Sequence, residues 1–101
     1  MTYDEIVAIF AETGEVSLPG ANLSGMDMTG GDFSLMFANL AGANLSGAEL
    51  AGINLAGINL TGANLTGANL TGVNLTGANM TGANMTGANL TGAVWLTIFR
   101  H

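Results

Sequence analysis

The sequence predicts an all-β solenoid whose chain turns once every five residues, closed at its N-terminal end by an α-helix. Three observations predict it. From Ala38 to Gly92 eleven five-residue units follow one another without a register slip, beginning Ala38-Asn39-Leu40-Ala41-Gly42 and ending Ala88-Asn89-Leu90-Thr91-Gly92. Gly closes every one of those units. The first residues, by contrast, carry helix-capping signals and an apolar stripe.

A five-residue period fits neither regular element. On an α-helix each repeat would rotate Leu by about 140°, spreading it over every face. On a continuous strand an odd period moves Leu to the opposite face each time. The pattern works only if the chain bends once per unit. In Leu65-Thr66-Gly67-Ala68 the Gly stands third, the place that a type II turn fills with a positive φ. Gly67, Gly72 and Gly77 are therefore expected at positive φ. Leu and the Ala two places before it then point inward, and Asn and Thr point out. The core is expected to hold Leu45, Leu50, Leu55, Leu60, Leu65, Leu70 and Leu75. Each fully buried Leu contributes on the order of 1.5–3 kcal/mol. Ile53, Ile58 and Val73 take Ala places and should swell the cross-section there.

Three units precede the main block, Ala21 to Gly25, Met26 to Gly30 and Gly31 to Leu35. Met36 and Phe37 then read as a two-residue insertion. The organisation is thus a helical cap and lead-in over 1–20, repeats over 21–93 with an insertion at 36–37, and a C-terminal segment over 94–101.

The repeats resemble the pentapeptide-repeat family, whose pattern is Ala-(Asp/Asn)-Leu-x-x, over Ala21 to about Ala93. The resemblance implies a right-handed quadrilateral β-helix with four units per coil. Its inner columns would be Leu40-Leu60-Met80, Leu45-Leu65-Met85, Leu50-Leu70-Leu90 and Leu55-Leu75-Trp95. Asp4-Glu5-Ile6 through Gly14-Glu15-Val16, followed by Leu18-Pro19-Gly20-Ala21-Asn22-Leu23, resembles cyanobacterial-type members.

Both ends of a solenoid need covering. Thr2 and Glu5 form a capping box, Ile6, Val7, Ile9 and Phe10 give an apolar stripe, and Gly14 suits the C′ position. A helix from Tyr3 to Thr13 should lie across the first coil. Its acidic polar face speaks against an anionic membrane surface. At the other end Val94, Trp95, Leu96, Ile98 and Phe99 are large and apolar, with Arg100 and His101 behind them. They form a lid or a self-association surface. Family members often dimerise end to end, so a homodimer through Trp95, Leu96, Ile98 and Phe99 is expected. Leu35, Met36 and Phe37, at the insertion, are the expected contact for an unidentified protein partner.

Net charge is −6, and from Met36 onward the only charged residues are Glu49 and Arg100. No basic face is available to neutralise phosphates, so nucleic acid is not an expected partner. No apolar stretch is long enough to span a bilayer. The opening residues lack a basic segment followed by an apolar core, so a cytoplasmic protein is expected. Without Cys or Lys, and with one His at position 101, the chain lacks tunable catalytic groups. No enzyme activity, metal or cofactor is expected. Asn-x-Ser/Thr occurs nine times as a product of the repeat, as in Asn64-Leu65-Thr66.

A non-catalytic scaffold or protein–protein interaction module is the leading functional expectation. An acidic nucleic-acid mimic acting on a type II topoisomerase is a second reading. A duplex carries about one charge per 1.7 Å, far more than this chain, so the charge disfavours it. The outward Thr61, Thr66, Thr71, Thr76, Thr81, Thr86 and Thr91 suggest a third, an ice-binding or structural surface repeating at about 4.8 Å.

Overall fold

A helix opens the chain because its first and last turns are both capped. In the computed structural model, which describes residues 2–29 and 34–95, α1 spans Tyr3–Thr13. The Thr2 hydroxyl accepts the Glu5 N–H at 3.2 Å, and the Glu5 carboxylate accepts the Thr2 N–H at 2.7 Å. Two otherwise unpaired donors of the first turn are satisfied reciprocally. Gly14 ends the helix at φ 76°, and its N–H donates to the Phe10 carbonyl at 2.7 Å. Ile6 is fully buried in the core, and Tyr3 and Phe10 pack against it.

The solenoid is built from short parallel bridges rather than long strands. Asn39 pairs with Asn59, Asn44 with Asn64, Glu49 with Asn69 and Asn54 with Asn74. Each step is 20 residues, so four five-residue sides make one coil. Three bonds recur on each side. Leu45 donates its N–H to the Asn64 carbonyl at 2.7 Å, Gly47 to Thr66 at 2.8 Å, and Asn64 reaches back to Ala43 at 2.9 Å. At each corner a turn bond closes the unit, as from the Ala68 N–H to the Leu65 carbonyl at 3.0 Å. Gly67, Gly72 and Gly77 stand at φ 68°, 69° and 72°, as the turn requires.

Leu45, Leu50, Leu55, Leu60, Leu65, Leu70 and Leu75 are all buried, and no polar or charged described residue is. Ile58 and Val73 are buried in Ala places, whereas Ile53 is only half-buried. The Val73 N–H to Leu70 turn bond, at 3.3 Å, and the Asn74 N–H to Ile53 bond between coils, at 3.4 Å, are the longest backbone bonds of the described solenoid.

Three boundaries move relative to the sequence reading. First, the solenoid starts at Val16, not Ala21. Val16 is buried, Ser17 bridges to Asn39, and Pro19-Gly20 make a corner closed by Ala21 N–H to Leu18 at 3.1 Å. Pro19 pre-sets the φ of its turn position and Gly20 supplies φ 72°. Second, Val94 bridges to Asn74, so the pairing continues past 93.

Third, Met36 and Phe37 are not an insertion. They are the corner pair of a unit in which Ser34 holds the Asn place and Leu35 the Leu place. Phe37 donates to the Ala56 carbonyl at 2.9 Å, as Gly42 donates to Thr61, a step of 19 residues in both cases. Met28 donates to Glu49 across 21 residues. The two extra residues therefore enter between Met28 and Ser34. The coils run over 16–37, 38–57, 58–77 and 78–95, giving a body of 41 × 25 × 23 Å together with α1.

Candidate interaction surfaces

The walls of the prism are occupied with their own corners. Each outward Asn turns its side-chain oxygen back on the chain two residues on. Asn64 Oδ1 accepts the Thr66 N–H at 3.0 Å and its hydroxyl at 2.6 Å, and Asn84 Oδ1 accepts the same groups of Thr86 at 3.0 and 2.7 Å. All seven Thr hydroxyls from Thr61 to Thr91 donate to an Asn in this way. The regular Thr array is thus a set of braced corners, its donors already used. Asp27 plays the Asn part in the first coil. The Thr29 hydroxyl, at 2.6 Å, and N–H, at 2.9 Å, hold its carboxyl below the usual range. Asp27 and Glu49 share one side of the prism, and among the described residues the other three sides carry no carboxylate. No group of three or more His, Asp or Glu among the described residues could hold a metal ion. No helix is long and apolar enough to cross a membrane.

Two places depart from this polar wall. The first is the corner at Met36 and Phe37. Leu35, expected at the surface, is buried at 1% exposure, because it fills the inward Leu place. Its two neighbours are exposed, Met36 at 42% and Phe37 at 74%. Phe37 is the only described residue other than Gly with a positive φ, at 60°. A Cβ added to Gly57, at the same corner one coil on, would run into the Phe37 ring. The ring therefore lies over a glycine. Counting back in fives from Ala38 would have placed Phe37 in the Gly position.

The second place is the last coil. Leu60, Leu65, Leu70 and Leu75 are fully buried. One coil on, Met80, Met85 and Leu90 are half-buried, and Trp95, at the end of the fourth column, is 47% exposed beside Val94 at 42%. The backbone opens there too. The N–H groups of Met80, Gly82, Met85, Gly87, Leu90 and Gly92 have no partner among the described residues, nor do the carbonyls of Ala78, Ala83 and Ala88. One coil earlier the equivalent groups bond the coil that follows, as Leu60 bonds Asn79, Gly62 bonds Thr81 and the Ala63 carbonyl accepts from Asn84. Of the association residues expected from sequence, Trp95 lies at this end, while Leu96, Ile98 and Phe99 lie outside the described residues.

The repeat geometry agrees with a comparison against known families. The Pentapeptide repeats family model matches with eight copies, over residues 38–77 and 58–94. The chain belongs to the pentapeptide-repeat family. Among solved pentapeptide-repeat structures, one from the Arabidopsis thaliana thylakoid lumen is 41% identical, with a TM-score of 0.66, over 71% of this chain and 49% of that one. Rfr23 from the cyanobacterium Cyanothece 51142 is 39% identical, with a TM-score of 0.58, over 78% of this chain and 60% of its own. A third, from Nostoc PCC 7120, is 35% identical with a TM-score of 0.55, over 88% and 75%. The chain thus spans about half the length of the Arabidopsis protein it matches. No protein of curated function matches it.

Proposed function

We propose that this pentapeptide-repeat chain is a non-catalytic scaffold that assembles as a tail-to-tail homodimer, with each protomer a right-handed quadrilateral β-helix. The observation that carries the reading is the asymmetry of the two ends. One end is closed by α1, with Ile6 fully buried in the core. The other presents half-buried Met80, Met85 and Leu90, exposed Trp95, and a rim of backbone donors and acceptors with no partner among the described residues. Apolar area beside an open β-edge is best covered by an identical end, and a two-fold pair is the commonest closed solution. Because α1 closes the opposite end, pairing stops at two. Met36 and Phe37 are the second contact point of the scaffold, an apolar corner for a protein partner on an otherwise polar wall. The absence of a tunable acid, base or nucleophile cluster among the described residues supports the non-catalytic part.

Sedimentation of the intact protein against Trp95→Glu tests the assembly. Trp95 is half exposed, so the substitution leaves the core intact. The intact protein is expected as a dimer and the variant as a monomer. An intact protein that stays monomeric at high micromolar concentration sinks the proposal.

A further inference from the structure

Methionine enters three of the four inward columns, as buried Met28 in the first coil and as Met80 and Met85 in the coil that forms the open end. Leu40 and Leu60 are followed by Met80, and Leu45 and Leu65 by Met85. The four Leu are at most 1% exposed, while the two Met are half-buried and pack against the core cluster from the end. Leu demonstrably fits these columns, so the exchange is not required by the shape of the core. Met places there the apolar side chain that peroxide most readily converts to a polar one.

We propose that Met80 and Met85 are modification sites, oxidised by peroxide-class oxidants, and that their sulfoxides undo the tail-to-tail dimer. The inference rests on that dimer. In each reaction the thioether sulfur attacks a peroxide oxygen. The O–O bond breaks, an S–O bond forms, and water leaves once protons have transferred. Sulfur loses two electrons and the peroxide gains them. The product is a polar, hydrogen-bond-accepting group on a side chain that packs against Leu60 and Leu65. Burying such a group against an apolar partner without a donor is unfavourable, and in the monomer it can face water instead. Oxidation and association therefore oppose each other. The dimer shields the sulfurs, and the sulfoxides keep the ends apart. Met36 is an internal control, exposed at a corner in the first coil and remote from the open end.

The test treats the intact protein with hydrogen peroxide, maps sulfoxides by peptide mass spectrometry, and follows assembly by sedimentation. Met80 and Met85 are expected to oxidise faster at low protein concentration, with Met36 oxidising at the same rate at any concentration. Oxidised protein should dimerise at least tenfold more weakly. Met80→Leu/Met85→Leu, whatever its own association constant before treatment, should show no change in that constant after peroxide although its Met36 is oxidised. Failure of Met80 and Met85 to oxidise, or a dimer unchanged when both are sulfoxides, overturns this inference alone. A protein already monomeric before peroxide overturns the dimer and this inference together.

Discussion

Phe37 occupies a conformation that every other corner in the described solenoid assigns to Gly. At φ 60° a side chain crowds its own backbone, at a cost of roughly 1–2 kcal/mol. Phe37→Gly should therefore raise stability by about 1 kcal/mol, read as a shift in the urea midpoint. The ring over Gly57 gives a sharper test. Gly67→Ala meets nothing within 4 Å and suffers only the positive φ, whereas Gly57→Ala also meets the ring. Gly67→Ala should cost about 1 kcal/mol and Gly57→Ala distinctly more. Adding Phe37→Gly to Gly57→Ala should return the cost to the Gly67→Ala level. Equal costs for the two single variants would show that the ring swings aside freely.

At the same scale, much of the core was legible before the structure. Leu65 and Gly67 announce an inward place and a corner because only one backbone geometry satisfies both. Phe37 misled because a bulky residue in a Gly place looks like an interruption. The true interruption falls between Met28 and Ser34, where Gly31 stands in the sequence at an Ala place and the five-residue count gives no sign of a slip. Val16 and Leu18 were passed over because that unit lacks Ala and Asn, although its Pro-Gly corner carries the same turn chemistry. The partial exposure of Met80 and Met85 had no local signal, since both keep the repeat pattern and only position in the stack exposes them.

At the scale of elements, α1 and the corners respond to pH in one direction. Glu5 accepts the Thr2 N–H and contacts its hydroxyl, and both lower its pKa. Asp27 is lowered by the Thr29 hydroxyl and N–H. A carboxyl depressed in the folded state stabilises it above the unfolded-state pKa. That stability is lost as pH falls through the folded value. Thermal stability should thus hold at neutral pH and decline on acidification below about pH 4. Glu5→Gln and Asp27→Asn should each flatten part of that decline in melts followed by circular dichroism. Thr2→Ala removes the other half of the capping box and should cost about 1 kcal/mol at neutral pH. A melt unchanged by Thr2→Ala would mean that α1 is held by Ile6 and Phe10 alone.

Across the whole molecule the contrast is between a sealed end and an open one. In the proposed dimer, growth of the stack and assembly of the protein are thereby separated, since α1 blocks one direction and pairing would use up the other. The absence of Cys makes the solenoid itself indifferent to thiol redox conditions. Removing α1 by deleting residues 2–13 should expose a second apolar coil face and convert discrete assemblies into larger ones, visible by light scattering. Unchanged particle size would show that the first coil needs no cover.

The 20-residue step between bridged positions also makes the chain a vernier between its two ends. Four added units lengthen the prism by roughly 4.8 Å and leave the orientation of the last coil against α1 unchanged. A single added unit instead turns the open end through a quarter revolution. Insertion length thus sets the bearing of the Met36 and Phe37 corner relative to the open end, any of four, while each inward place still receives an apolar side chain.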